Sequence, residues 1–211
     1  MFYEPKKGDH GLPKNPFNSL VIPRPIGWIT SLDANGVVNL APYSFFNAVS
    51  YRPPTVMFAA GAGPGTAEGG DWSKDSRRNI EATQEFVCNL TTWDTREQMN
   101  KTSASVGMDI DEMALAGLKP EPSALVKPPR VAEAPIHLEC RYVTSVKIPV
   151  WDEADQYFVV FGEVVGVHIR DDMITSEGLI DVAKLRPIAR LGYNDYTVIN
   201  SDTIFTMKRP N

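Results

Sequence analysis

The sequence of 211 residues lacks any hydrophobic run near the ~18 residues that a membrane-spanning helix requires. Its amino-terminal residues are polar and contain proline, without the apolar core of a secretory signal peptide. A surplus of positive charge is also missing, because the formal net charge is −5. That balance argues against general nucleic-acid binding, although an anionic ligand needs only a local positive patch. We therefore expect a cytoplasmic enzyme or binding protein with no membrane or nucleic-acid partner.

Cysteine and histidine are scarce, which limits the metal and nucleophile chemistry that the chain can carry. Cys88 and Cys140 lie in apolar, strand-like contexts and form no close pair in sequence, so buried free thiols are favoured over a disulfide. His10, His137 and His168 are scattered without metal-ligand spacing or a recognisable catalytic triad. His168 on a strand is typical of a structural histidine; a position near a nicotinamide is the alternative. Glycine-rich dinucleotide and phosphate loops are absent as well.

Short strands dominate the predicted secondary structure, and helices are few. Strands are predicted over residues 26–32, 37–40, 45–50, 55–60, 86–90, 136–147 and 157–169. Helices are predicted from 75 or 76 to 83, over 94–104 and over 111–116, with an Asn-Gly turn at 33–36, a mobile loop at 61–70 and an extended connection at 119–135. This order predicts a mainly β, antiparallel barrel with helices outside it, formed by one domain over residues 1–211.

Residues 74–86 contain a candidate phosphate site. Lys74 supplies a positive charge, Ser76 a hydroxyl at a predicted helix start, and Asn79 lies one turn further along the same face. A helix N-terminus adds unpaired N–H groups and a partial positive charge, which together suit a phosphate. The alternative is an ordinary capped surface helix whose Arg77 and Arg78 are solvated.

Residues 39–50 offer polar groups and apolar packing in one short segment. Such a mixture suits a flavin ring, which needs donors and acceptors along one edge and apolar contacts on its faces. A half-buried strand with core aromatics is the alternative. Thr30 and Ser31, at the end of the first predicted strand, could bond either a neighbouring strand or a flavin edge. The candidate ligand-contacting residues of the segment are Asn39, Ala41, Ser44, Phe45, Phe46 and Asn47.

The order of three segments resembles the flavin reductase-like, FMN-binding split-barrel family. The segments are PRPIGWITSLDANGVVNLAPYSFFNAVSYRPP, then KDSRRNI followed by EFVCNL, and late in the chain LRPIARLG followed by a tyrosine. The similarity extends from Arg24 to Tyr196. One departure is Gly192-Tyr193, because many members carry Gly-Gly after the Arg-Leu pair.

The resemblance implies a six-stranded antiparallel split β-barrel with peripheral α-helices, in a homodimer that binds FMN in a groove near the subunit interface. Residues 39–47 then match the segment that wraps the ring and ribityl chain, and Lys74, Ser76 and Asn79 match the phosphate-binding turn. Thr30 and Ser31 match hydroxyls beside the flavin. Arg190 and Tyr196 match a carboxy-terminal motif near the site.

The function that the resemblance implies is NAD(P)H-dependent flavin reduction. NADH or NADPH would reduce FMN, and the electrons would pass to a second acceptor such as free flavin or a partner oxygenase. The cofactor carries that chemistry, so no protein acid or base is expected. The alternative is a non-enzymatic FMN-binding electron carrier of the flavoredoxin type. A pyridoxamine-phosphate-oxidase-like enzyme is a third reading, but the basic substrate residues expected of it are not found.

Overall fold

A computed structural model describes residues 1–61, 75–107, 110–152 and 155–210. In these ranges the chain forms twelve strands and four α-helices. The strands are β1 Arg24–Pro25, β2 Gly27–Leu32, β3 Val38–Tyr43, β4 Phe46–Tyr51, β5 Pro54–Gly61, β6 Glu85–Leu90, β7 Pro120–Glu121, β8 Arg130–Val131, β9 Ile136–Ile148, β10 Tyr157–Ile169, β11 Ile188–Gly192 and β12 Asp195–Val198. The helices are α1 Asp75–Thr83, α2 Arg96–Lys101, α3 Glu112–Leu115 and α4 Val182–Leu185. Within the same ranges, no helix combines the length and apolar character needed to cross a bilayer.

Seven strands form the main antiparallel sheet in the order β3-β2-β6-β9-β10-β5-β4. Its two end strands, β3 and β4, follow each other in the chain and are joined only by Ser44 and Phe45. The sheet must therefore curl until its ends meet, which makes it a barrel with a seam at this junction. At the seam, the N–H of Ala59 on β5 donates to the carbonyl of Phe45 at 2.8 Å.

The barrel interior is filled by side chains that alternate along the strands. On β5, Val56, Phe58 and Ala60 point inward and are at most 4% exposed, as the period of two requires. Cys88 on β6 and Cys140 on β9 are also buried here as free thiols. The Cys140 thiol interacts with that of Cys88, so the structure brings together two thiols that are distant in sequence.

A second core lies outside the barrel, between β2, β3 and the helices α2 and α3. Trp28 on β2 is fully buried in it, with Leu40, Met99 and Met113 around it. The Trp28 indole N–H donates to the hydroxyl of Thr102 at 2.9 Å. A separate three-stranded sheet, ordered β1-β11-β12, borders this core.

A buried carboxylate fixes the segment between β7 and β8. Glu139 on β9 is fully buried, and its Oε1 accepts the N–H of Ala124 at 2.7 Å. Its Oε2 accepts the N–H groups of Leu125 and Val126 at 2.6 and 3.2 Å. His168 Nε2 on β10 completes the set by bonding Oε1, which is a structural role for this histidine.

The predicted class is confirmed, whereas the predicted count of six strands is wrong. The main sheet has seven strands, because β4, the end strand next to the seam, pairs with β5. The predicted helix at 94–104 is shorter, because the Thr102 hydroxyl donates to the Met99 carbonyl at 2.8 Å and caps α2. The predicted mobile loop at 61–70 lies outside the described residues except for Gly61, which ends β5.

Candidate functional site

Alternation along β2 and β3 creates a stripe of inward-facing residues. Antiparallel pairing places Ser31 opposite Asn39, Ile29 opposite Ala41 and Gly27 opposite Tyr43. Residues that face each other in this way share one side of the sheet. The stripe leads from α1, at the Asn39 end, towards the barrel seam at Ser44.

Four predicted site residues meet at the beginning of α1. Asn39 Nδ2 donates to the Ser76 hydroxyl at 3.2 Å, and Asn79 Nδ2 donates to the Ser31 hydroxyl at 3.4 Å. All four side chains are at most 7% exposed. Ser76, Asn79 and Ile80 form the buried face of α1, and the helix ends where Gln84 adopts a left-handed φ of 66°. The sequence analysis grouped Ser76 with Asn79, and the structure places Ser31 and Asn39 beside them.

Carboxyl groups outnumber cations among the described residues around this cluster, with Asp33, Asp75 and Glu112 against Arg78. Asp75, in the first turn of α1, forms an ion pair with Arg78. Glu112 Oε2 accepts the N–H of Leu40 at 3.0 Å, and burial raises the pKa of this carboxyl group. Burial likewise raises the pKa of Tyr43, whose hydroxyl interacts with Ser76. A cavity of about 420 Å³ adjoins the cluster and is lined by residues that include Asn39, Asn79 and Glu112.

Thr30 does not join the cluster. It precedes Ser31 on β2, so its side chain points to the opposite face of the sheet, where it is fully buried. The Thr30 hydroxyl accepts a hydrogen bond from Asn89 Nδ2 at 2.8 Å, and the Asn89 side chain also joins the Trp28 carbonyl and the Val131 N–H. In this structure Thr30 therefore ties neighbouring strands together.

A second group of predicted residues lines a groove at the barrel seam. The groove has a volume of about 370 Å³, and its walls include Ser44, Phe45 and Arg190 together with Arg24 and Tyr157. Phe45 is 38% exposed there, because the seam interrupts the packing that would cover it. The groove thus combines an accessible aromatic ring, a hydroxyl and two guanidinium groups.

Arg24 is the groove residue that the sequence patterns did not reveal. It lies opposite Arg190 in the pairing of β1 with β11 and is 7% exposed. Its side chain donates to the carbonyls of Asn18 and Val21, and its Cζ lies 5.6 Å from the centroid of the Phe45 ring. Burial, and then the positive charge of Arg190, lower the pKa of the Arg24 guanidinium. Neither arginine has a carboxylate partner within the described ranges, so this wall of the groove is positively charged.

The carboxy-terminal motif is held together by Arg190. Its guanidinium donates to the hydroxyl of Tyr196 and to the carbonyl of Tyr193. Tyr193 adopts a left-handed φ of 44°. Gly192, also at positive φ, leaves no room for a Cβ, which would lie 2.2 Å from Ser19 Oγ. The tyrosine is therefore accommodated in a glycine-like backbone conformation, and its carbonyl orients Arg190.

The remaining predicted residues are distributed between these places. Ala41 and Phe46 pack against the barrel core, and Phe46 covers Gly27. Asn47 points outward from β4, where its Oδ1 accepts the N–H of Ala48 at 2.9 Å. Lys74 lies outside the residues that the structure describes.

Comparison with known proteins connects this geometry to a family. An uncharacterized protein of Aquifex aeolicus is 36% identical over 177 residues, which cover 84% of this chain and 85% of that protein. Nitrilotriacetate monooxygenase component B from Bacillus cereus superposes with a TM-score of 0.84 at 27% identity, over 98% of both chains. The 2-nitrobenzoate 2-nitroreductase of Pseudomonas fluorescens gives a TM-score of 0.77 at 29% identity, over 92% of this chain and 88% of the other. The flavin reductase-like domain matches residues 18–188. The chain therefore belongs to the flavin reductase-like family.

Proposed function

We propose that this protein binds FMN across the seam of the barrel and reduces it with NADH or NADPH. The observation that supports the proposal is that strand β3 begins at the polar cluster of α1, with Asn39, and ends at the arginine-walled groove, with Tyr43. Asn39 and Tyr43 are four residues apart and hence roughly 13 Å along the strand. A ring that carries a ribityl phosphate chain has the length and polarity to occupy both places.

The residues at α1 fit a phosphate by their chemistry. Ser31, Asn39, Ser76 and Asn79 offer hydroxyl and amide groups that bind oxygen without adding negative charge. The first turn of α1 adds N–H groups that have no partner within the helix. We assign the phosphate to Ser76, Asn79 and the neighbouring Lys74, with Ser31 and Asn39 supporting them.

The groove at the seam fits the ring. Phe45 provides an apolar surface, Ser44 a hydroxyl, and Arg24 and Arg190 provide positive charge at the same wall. Bound FMN would supply the hydride and electron chemistry itself. The task of the chain is then to hold the ring and to stabilise added negative charge, for which two fixed guanidinium groups are suited.

We extend the proposal to the electron acceptor and the oligomeric state. The similar Bacillus cereus protein is a component of a monooxygenase, which supports a partner oxygenase as the acceptor. The outer faces of β5 and β10 carry half-buried apolar residues, among them Met57, Val159 and Phe161. A second copy packed on this face would form a homodimer, which light scattering at micromolar concentration tests directly.

The test of FMN binding is a double variant, Ser76→Ala with Asn79→Ala. Each lost hydrogen bond to a charged phosphate is worth ~1.5–3 kcal/mol, so the dissociation constant for FMN should rise at least ~100-fold. Quenching of flavin fluorescence on binding measures that constant. Ser176→Ala, which removes an exposed hydroxyl elsewhere, should leave it unchanged. Equal affinity in the double variant would mean that the phosphate binds elsewhere.

Anaerobic mixing of the FMN-loaded protein with NADH or NADPH tests the reductase activity. Loss of the flavin absorbance with at least one nucleotide is the expected result. If neither nucleotide bleaches the flavin while dithionite does, the protein is an electron carrier rather than a reductase.

A further inference from the structure

A third cavity shares the lining residue Arg190 with the groove at the barrel seam, which we call the flavin groove. Its volume of about 650 Å³ lies within the ~300–1,000 Å³ typical of small-molecule sites. Apolar side chains of Met99, Ile188 and Val198 form part of its lining, and Asn100 and Thr197 add polar groups. We call this cavity the α2 groove, because α2 and the paired strands β11 and β12 enclose it.

Stacked aromatic and guanidinium groups dominate the wall of the α2 groove. Arg96 Cζ lies 4.0 Å from the centroid of the Trp93 ring, and Arg186 Cζ lies 5.4 Å from it. On the opposite side, Arg190 Cζ lies 4.5 Å from the centroid of the Tyr196 ring. Trp93 and Tyr196 are each 38% exposed, so their surfaces are accessible from the groove.

The charge of this wall is positive overall. Glu97 also lines the groove and pairs with Arg96 at 3.4 Å, and Asp94 pairs with Arg186 at 3.7 Å. The charged residues of the lining are Arg96, Glu97 and Arg190, so one positive charge is in excess. Arg190 is held by a hydroxyl and a carbonyl, not by a carboxylate, in the part of the chain that the structure describes. Its charge remains available to an anionic ligand.

We propose that the α2 groove binds the ADP half of a nicotinamide dinucleotide. Adenine has a flat π surface that stacks on tryptophan or on a guanidinium plane. The diphosphate is an anion for which Arg190 and Arg96 provide charge-assisted donors. This inference rests on the proposed function, because it assigns a place to the part of the reductant that does not react.

Arg190 makes the assignment spatially specific. It belongs to the lining of both the flavin groove and the α2 groove. A dinucleotide with its nicotinamide in the flavin groove and its adenine beside Trp93 would pass its diphosphate over Arg190.

Calorimetric titration of the FMN-loaded protein with ADP, and with 2′,5′-ADP, tests the site without any redox step. Binding by the wild type is expected, and Trp93→Ala and Arg96→Ala should each weaken it about tenfold. Trp93→Phe, which keeps an aromatic surface, should restore most of the affinity and shows that the alanine variant is not merely misfolded. Arg141→Ala removes one exposed positive charge from β9 as a matched control.

The titration has clear contrary outcomes. No binding of either nucleotide at millimolar concentration overturns the assignment, as does equal weakening by Arg141→Ala and Arg96→Ala. Tighter binding of 2′,5′-ADP than of ADP would support the assignment and identify NADPH as the reductant.

Kinetics with a truncated reductant separate this inference from the proposed function. Reduced nicotinamide mononucleotide lacks the adenosine and one of the two phosphates, so Arg96→Ala should raise KM for the dinucleotide about tenfold but not KM for the mononucleotide. An equal rise for both overturns the inference. If the protein binds ADP but no reduced nicotinamide reduces its flavin, the reductase proposal is refuted and the nucleotide site is retained. If the flavin is reduced but ADP does not bind, the nucleotide site is refuted and the reductase proposal is retained.

Discussion

The bonds to Glu139 predict a large and pH-dependent loss of stability in Glu139→Gln. This change keeps the size of the side chain but removes its charge and converts one oxygen into an NH₂ group. The best arrangement of the amide leaves its oxygen facing Leu125 and Val126 and turns the NH₂ towards Ala124 and His168. His168 can accept from that NH₂ group in its neutral form, but the N–H of Ala124 then faces a donor.

The magnitude follows from these contacts. An N–H that loses its acceptor costs ~1–3 kcal/mol, and the two remaining bonds, to Leu125 and Val126, each lose about 1 kcal/mol of charge assistance. The relief of burying a carboxylate offsets part of this loss. We expect the free energy of unfolding to fall by about 3 kcal/mol at pH 7.

Urea denaturation followed by circular dichroism measures the difference, with Glu163→Gln on the neighbouring strand β10 as the control for loss of one carboxylate. Burial opposes ionisation of Glu139, but the N–H of Ala124, His168 and the N–H of Leu125 outweigh it and lower the pKa of this group. A lowered carboxyl pKa stabilises the fold above the unfolded value of about 4.3, and this contribution is lost as pH falls through the folded pKa. The difference in the free energy of unfolding between wild type and variant should therefore be largest at pH 6–7 and should disappear in acid.

Two results would refute this reasoning. A loss below about 1 kcal/mol at pH 7 would mean that the segment between β7 and β8 does not depend on the carboxylate. A gap that stays constant into strong acid would mean that the charge is not the source of the stabilisation.

Two further predictions concern the barrel interior. Gly162→Ala should destabilise the protein by ~1–3 kcal/mol in urea unfolding, because a Cβ there would lie 2.2 Å from Cζ of the fully buried Phe86. Gly166→Ala on the same strand meets nothing closer than 3.4 Å and should cost less; equal losses would contradict the packing argument. The thiols of Cys88 and Cys140 should resist Ellman's reagent in the native protein and react in denaturant, since both are buried and burial raises the pKa of Cys140. Rapid native labelling would show that the core opens.

The sequence predicts the strands of the main sheet well and those of the separate three-stranded sheet poorly. The predicted strand at 157–169 matches β10, because a segment rich in β-branched and aromatic residues favours a strand even with two glycines in it. The short strands β1, β11 and β12 are held by pairing between distant segments, which no local pattern encodes. The predicted strands at 45–50 and 55–60 correspond to β4 and β5 of the main sheet, whereas the closure of that sheet at the seam is not encoded in any local pattern.

The candidate site was partly predictable for equally physical reasons. Ser76 and Asn79 could be grouped from helical spacing, and the structure adds Ser31 and Asn39 through strand pairing. Thr30 and Ser31 are neighbours on one strand, so their side chains point to opposite faces. Arg24 could not be found, because its importance depends on pairing with β11.

The position of Arg190 between two cavities has a thermodynamic consequence. A ligand that contacts Arg190 in one cavity would change the orientation that its guanidinium presents to the other. The two occupancies are then coupled, and linkage requires the coupling to be reciprocal: a ligand that strengthens binding in one cavity is itself bound more tightly by the same factor. Substitution of Arg190 would therefore alter the cooperativity between the two ligands as well as each affinity. Through Arg190, occupancy of one cavity would then affect binding in the other.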